Sequence, residues 1–584
     1  MYIRKAAPLA ALVCAIFAAI TVTAPTAGAQ VSMVGASDPV YTWLERQRVA
    51  GWAPDFSYEM LPLSRGTIVS LLDAINKHRD QLSGTDRTLL ASYAREFSAD
   101  SLAKSKSDTY LQGWDSTITA SVKKKLELFA SDREPHMYVY SDSEVNAAVD
   151  FRWSVGSFNQ KIGANSVSEK YGWTELHTYG TIYSSLGFDV DGVNAYSTGD
   201  GAYIRRVPKW AAATSSDSAT QSSVLWAQAY ASWHHRDLGL DIGDGAPRVG
   251  LGGQESVILS SQAPNYPWVR LSFTRKHVQF IEMYGALAGP SADTMIAGVP
   301  SSTYVDRWFA LHRLQIRPND ALQFGFTESV TYSNRGFNIA YLNPVSPLFV
   351  AENDKHDNSD LIWYIDGVYR PFHGVELYAT LGIDDLSNFS DIWTPTGSRS
   401  NNDGTSKLLY QAGATIALRQ GTDLQAEYLR LDPYYYTHFL PLNTYQQNGY
   451  ALGSDIGPNA DQLWLSLRQW LPGGRNWVRA TFAYTRHGLN IVDSTGKIVT
   501  DVGGSINSID GGKILFLAGD YEKTAALTLA AHFEPSRSFG VNVEYTNQRT
   551  VVGTTIPNMQ SLRIGGTFAF YPLSFLFSLV GLAP

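Results

Sequence analysis

Leu361-Ile362-Trp363-Tyr364-Ile365-Asp366-Gly367-Val368-Tyr369, followed closely by Phe372-His373-Gly374, is the stretch that decides the fold. Successive side chains on a strand point to opposite faces. One face of this segment carries Leu, Trp, Ile, Gly and Tyr, and the other carries Ile, Tyr, Asp and Val. The phase is imperfect, but an apolar outer face and an inner face holding Asp366 describe a strand of a transmembrane barrel. Leu424-Gln425-Ala426-Glu427-Tyr428-Leu429-Arg430 repeats the pattern with Gln425, Glu427 and Leu429 inward. A charge on the lipid face near mid-membrane costs about 2–4 kcal/mol. Arg313, Glu376, Glu427, Arg479 and Glu544 are therefore expected in the lumen or near a rim.

Outward from that stretch, segments of this kind recur from Ser143 to Tyr571. Tight joints with turn chemistry fall at Ser184–Gly187, Arg236-Asp237, Lys276-His277, Pro318-Asn319-Asp320, Phe372-His373-Gly374, Arg419–Thr422, Pro472–Arg475 and Glu534–Ser538. Long polar connections lie between them: Asn159–Gly172, Ser197–Ser222, Asn334–Asp360, Ser387–Ser406, Phe439–Asn459 and Asn490–Gly512. The count is about eighteen strands, an even number as bacterial single-chain barrels have. The expected fold is an all-β transmembrane barrel over residues 143–571, long loops outward, both ends periplasmic. A soluble propeller would show a repeat of about 40 residues with internal similarity, and none is present.

The N-terminal part differs. Arg4 and Lys5 precede an apolar run from Ala6 to Ile20, and Ala27-Gly28-Ala29 offers a cleavage site, so residues 1–29 read as a secretory signal rather than an anchor. Residues 30–110 read as a small periplasmic helical domain. Asp38-Pro39 starts one helix, with Val40, Trp43, Leu44 and Gln47 on a face. Ser64 caps a second carrying Ile68, Leu71, Leu72 and Ile75, and a third runs from Thr85 or Asp86 to Phe97. Residues 111–142 connect to the barrel, and 572–584 form a tail.

Composition removes several functions. The single cysteine, Cys14, lies in the signal, so the mature chain has no thiol chemistry, disulfide or Cys-ligated metal. A net charge of −8 argues against nucleic acid as a partner. No Walker, HExxH, GxSxG or dinucleotide pattern occurs, and no cofactor is indicated. Asp189-Val190-Asp191-Gly192 lacks the later ligands of a calcium loop. Glu352, Asp354, His356, Asp357 and Asp360 could hold a cation but fit a solvated outer loop better. His234-His235 and Asp384-Asp385 are neighbours on strands and point apart, so neither forms an acid/base pair, and no catalytic residue is identified. Tyr434-Tyr435-Tyr436 with His438 stand at a strand's outer end, either as an aromatic girdle or as a platform for sugar rings.

Several segments, in order, resemble the Wzi family of capsule-assembly outer-membrane proteins. They are Asp38–Arg46, Pro62–Arg65, Ala229–Trp233, Pro247-Arg248-Val249-Gly250-Leu251-Gly252 and Leu259–Pro264. Tyr341-Leu342-Asn343-Pro344, Tyr369–Pro371, Gly374–Tyr378, Asp384-Asp385, Gly457-Pro458-Asn459-Ala460-Asp461 and Phe539–Val541 come later in the chain. Val249 and Leu251 depart from the family's Arg-Trp-Gly-Pro-Gly type run. The resemblance implies an eighteen-stranded barrel with a periplasmic helical bundle, acting without catalysis as a surface lectin that holds capsular polysaccharide. Other outer-membrane partners in that picture are lipid and the polysaccharide export machinery. A diffusion porin or sugar channel is the main alternative. A wall-binding module over Asp38–Ser98, faintly like S-layer-homology segments, is a third reading, and an outer-membrane deacylase a fourth.

Overall fold

The computed structural model describes residues 30–97, 134–199, 203, 207, 214–217, 221–296, 299–353, 359–393, 399–401, 404–509, 514–552, 554–555 and 558–569. The expected signal, connector and tail lie wholly or largely outside these residues. Among them no helix is long and apolar enough to cross a membrane. A closed antiparallel barrel of 18 strands surrounds the rest. The strands are β1 (Val145–Ile162), β2 (Asn165–Ile182), β3 (Leu186–Gly199), β4 (Gln221–His235), β5 (Leu238–Gly245) and β6 (Tyr266–Arg275). Next come β7 (Val278–Leu287), β8 (Arg307–Asn319), β9 (Leu322–Ser333), β10 (Asp360–Phe372), β11 (Val375–Asp385) and β12 (Gly404–Ala417). The last are β13 (Thr422–Leu431), β14 (Ala460–Trp470), β15 (Trp477–Leu489), β16 (Asp520–Ser536), β17 (Phe539–Val552) and β18 (Met559–Phe568). β18 closes on β1, with Phe568 opposite Trp153 and Met559 opposite Ile162.

All eight tight joints connect neighbouring strands. Alternation assigns the faces as expected on β10, where Ile362, Tyr364, Asp366 and Val368 are buried inward and Ile365 and Tyr369 are exposed. Two boundaries differ. Asn159–Gly172 is no long loop: β1 and β2 run on as 18-residue strands to a turn at Gly163-Ala164, so polarity marks where they leave the apolar band, not where they end. Tyr434–His438 lie beyond β13, which ends at Leu431, and so belong to the loop after it.

The helical segment forms α1 (Pro39–Val49), α2 (Arg65–Asn76) and α3 (Gly84–Phe97). Asp38 Oδ1 accepts from the N–H of Val40 at 2.8 Å, and Ser64 Oγ accepts from that of Thr67 at 3.2 Å. This segment is not a free-standing module. Val40 to Val49 are buried apart from Thr42, charged residues included, because α1 sits in the short-turn mouth of the barrel. Trp470 of β14 packs into the same apolar core as Trp43, Leu72 and Tyr93. A free wall-binding fragment would have to leave these contacts.

The interior is packed unevenly. Against β4–β14 lies a core that includes Val249, Ile258, Met283, Phe309, Tyr364 and Tyr436. On β15–β18 many inward residues are small or polar and half-buried, among them Thr481, Thr528, Thr546, Ser561 and Gly565, whereas β1–β4 carry a separate buried cluster that includes Phe158, Tyr171 and Trp226. Thr528 and Thr546 hydroxyls meet at 2.9 Å.

Candidate functional site

From the mouth upward the packed side of the lumen is a continuous column. At its foot Arg48 donates to Glu59 and to Glu376 of β11, both at 2.7 Å, while Arg370 donates to the other oxygen of Glu376 at 2.7 Å. Arg46 is held by Asp86 at 3.1 Å and by Asp423 of β13. Arg313 and Asp366 form a fully buried two-bond pair at 2.6 and 2.9 Å. Buried charges are tolerable only when paired and hydrogen-bonded like this. Burial works against ionisation of Glu59, but Arg48 and Arg313 outweigh it and hold its carboxyl at about 2. Glu45 has no such ion pair among the described residues, and burial pushes its carboxyl up to about 7.

The middle of the column is the loop 246–265, which turns inward after β5. Arg248-Val249 pair in antiparallel fashion with Met60-Leu61, and Arg248 lies 4.1 Å over the Tyr58 ring. Gly252 is fixed by conformation: φ is +144° and a Cβ would lie 1.8 Å from the Glu255 carbonyl oxygen. Gly250 likewise has positive φ, at +98°. This family-motif segment is thus the joint between the helical mouth and the roof. Burial, and the neighbouring Asp455 carboxyl, push Glu255 well above the usual carboxylate range.

The roof is the loop between β13 and β14. Here the expectation for Tyr434, Tyr435 and Tyr436 needs correction. Their exposures are 1%, 0% and 0%, so as placed they offer no face to an external ligand. Tyr436 stacks on Tyr445 at 5.4 Å, and Tyr445 Oη donates to the Ile258 carbonyl at 2.9 Å, joining roof to column. The outer surface is made instead by His438, half-buried, and Phe439, 52% exposed, with ring centroids 4.2 Å apart.

Asn459, next to Gly457 and Pro458, is the fastener of the roof. Its Nδ2 donates to the carbonyls of Gly488, Val502 and Ala518 at 2.9, 3.3 and 3.1 Å, and its Oδ1 accepts from the N–H of Leu517 at 2.7 Å. A lone Asn in a polar loop gives no sign of four partners. Asp384 and Asp385 also depart from expectation. A register shift between Ile383 and Asp385 brings both carboxylates to Lys407 Nζ, at 3.4 and 2.7 Å. They form an ion-pair cluster rather than diverging. His234 and His235 do diverge: His234 meets Asp241 at 2.8 Å, and His235 stacks on Trp233.

Asn343 and Pro344 are exposed on the loop after β9, where Asn343 Oδ1 accepts from the N–H of Val345 at 3.2 Å. Asp354, His356 and Asp357 lie outside the described residues, among which no cluster of three or more potential metal ligands is found. Trp393 is 74% exposed, but Tyr410, which points outward from β12, donates to the neighbouring Ile392 carbonyl at 3.1 Å. That places Trp393 by the outer wall, where an aromatic girdle belongs.

A barrel of this size whose packed side is closed by its own N-terminal helices and loops is an outer-membrane protein of the plugged class. The family profile for capsule assembly protein Wzi matches residues 178–561, and the chain belongs to that family. Among solved structures it is similar to Wzi of Escherichia coli, an outer-membrane protein involved in group 1 capsule assembly and described as a carbohydrate-binding β-barrel. The identity is 12% and the TM-score 0.51, covering 91% of this chain and 99% of that one. OprD of Pseudomonas aeruginosa aligns at 10% identity and TM-score 0.39, over 73% of this chain and 93% of that one. No curated protein matches the sequence.

Proposed function

We propose that this protein binds capsular or another extracellular polysaccharide at its long-loop end and holds it on the cell, catalysing no reaction. The helical mouth faces the periplasm and the roof faces outward. The observation that carries this reading is the column of paired buried charges running from Arg48 and Glu376 to Arg313 and Asp366, which makes the packed side of the barrel a rigid pedestal. Family membership supports it, and so does the carbohydrate binding described for the Escherichia coli protein. A repeating polymer held by many copies needs only weak single sites. His438 and Phe439 are the aromatic pair best placed to contact it.

Deletion of the protein, with measurement of shed against cell-bound polysaccharide, tests the proposal. Unchanged total polymer that moves to the medium supports attachment, and an unchanged ratio refutes it. Diffusion through the barrel is the second reading, favoured by the polar wall of Thr481, Thr528 and Thr546. Stable single-channel conductance of the purified protein would establish it. Contact with polysaccharide export machinery would be read by co-purification from cells making the polymer.

A further inference from the structure

One long loop does not rise from the rim. On β7, β8 and β9 the inward residues are Met283, Leu311 and Ser329, so Glu282, His312 and Glu328, direct register neighbours, point outward. All three are buried. The loop after β9 covers them. Its short helix α4 (Leu348–Asn353) starts with Leu348 N–H donating to Glu328 Oε2 at 3.0 Å, and Phe349 meets the ring of outward-facing Trp363 at 6.1 Å. Higher up, Tyr341 stacks on outward Tyr332 at 5.0 Å, and Phe337 packs edge-on to outward Tyr284 at 4.9 Å. Residues 334–353 thus form a strap laid on the outside of the wall.

The strap's own outer face is apolar, with Ile339 73% and Val345 87% exposed and Phe349 and Val350 exposed beside them. From Gly336 to Ala351 the chain carries no charged side chain, whereas Glu352, Asp354 and Lys355 come immediately after. Directly below lies the exposed wall of Phe324, Phe326, Leu314 and Ile365, so the apolar surface is continuous. Height agrees. Glu328 is six residues up β9 from Leu322, and on β14 the exposed Leu463 is seven residues up from Trp470. Backbone in hydrocarbon must find its partners within the protein. The N–H groups of Asn338, Tyr341, Val345, Ser346 and Val350 bond to Tyr332 Oη, Asn338 O, Asn343 Oδ1, Asn343 O and Pro347 O. Pro344 and Pro347 have no N–H to satisfy.

We propose that residues 334–353 are a membrane-embedded strap whose partner is the acyl-chain region of the leaflet at the long-loop end. The strap keeps lipid off the Glu282–His312–Glu328 row. The Asn343-Pro344 turn serves to set Val345 against the acyl chains.

The test places a nitroxide at Ile339→Cys and Val345→Cys of the full-length protein in lipid vesicles, with Cys14→Ser throughout. Phe326→Cys on the bare wall and Val499→Cys in the exposed hairpin of Ile491–Val492 and Ile498–Thr500 are the references. Both strap sites are open, so the label displaces no packed neighbour. The expected result is strong relaxation by oxygen and loss of relaxation by a water-soluble nickel chelate, as at Phe326→Cys. Chelate relaxation equal to that at Val499→Cys would overturn the proposal in favour of a solvent- or polysaccharide-facing loop. Spin–spin broadening that disappears on dilution with unlabelled protein would overturn it in favour of contact with a second copy.

Discussion

Arg48 of α1 and Glu376 of β11, 328 positions apart in the chain, meet at 2.7 Å with both side chains only 2% exposed. This contact fixes the depth of α1 in the mouth and links the first helix to the far wall of the barrel.

Glu376→Gln removes the charge shared by Arg48 and Arg370 and one of the two oxygens that accept from them, leaving two buried cations short of one charge. Breaking a buried pair in this way costs roughly 3–5 kcal/mol. The variant is expected to release the helical mouth at lower temperature than the wild type. Protease cleavage between α1 and α3 during a thermal ramp reads this directly.

The roof should depend on one amide. Asn459→Asp keeps the shape but turns a group that donates to three carbonyls into one that only accepts. Leaving buried acceptors unpaired costs about 1–3 kcal/mol each. Faster hydrogen exchange across residues 488–509 and 514–519, with exchange of the β4–β10 ladder unchanged, is the expected pattern. Uniform exchange in both regions would remove Asn459 from the role given to it here.

Acidity should tighten the mouth. Burial pushes Glu45 up to about 7 from an ordinary 4.5. The folded state therefore binds a proton that the unfolded state has released, and stability falls as pH rises from about 4.5 to about 7. Each tenfold change in proton affinity is worth about 1.4 kcal/mol, so the effect is on the order of 3 kcal/mol. Burial likewise raises Asp38 to about 6, in the same direction. Glu45→Gln should flatten most of this slope and raise the unfolding midpoint at pH 8, with calorimetry in detergent as the measurement.

Polysaccharide retention should separate surface rings from roof rings. Phe439→Ala with His438→Ala is expected to weaken binding of purified polymer several-fold while leaving the unfolding midpoint within a degree or two, as for other exposed sites. Tyr435→Phe, buried and away from the surface, should leave binding intact. The reverse outcome would return the site to the tyrosine triplet.

The parts of this fold that were legible in the sequence are those governed by neighbours in the chain. Phe372-His373-Gly374 makes a turn through local chemistry, and the alternation on either side assigns Asp366 inward. Membership of three tyrosines in a core, a girdle or a binding face is not local. Tyr435 and Tyr436 are buried because the loop 246–265 rises beneath them, and Tyr434 because residues 501–503 close over it; Val257-Ile258-Leu259 carries no periodic signal that separates it from a strand. The Arg48–Glu376 pair is hidden for the same reason. Glu282, His312 and Glu328 are the instructive exception: alternation assigns them outward, where charge is costly, and a distant loop resolves the conflict.

The seam where β18 meets β1 has a consequence for biogenesis. Across it Gly565 faces Gly156, Thr567 faces Ser154, Ser561 faces Gln160 and Arg563 faces Phe158. The helical mouth reaches round the barrel, from Arg46 on Asp423 of β13 to Glu96 on Arg537 in the turn between β16 and β17, and all of these positions precede β18 in the chain. The parts that hold the helical mouth are thus all made before β18, the strand whose pairing with β1 closes the ring. The order of synthesis therefore lets the cylinder be wrapped around its plug and fastened last, rather than filled after it is finished.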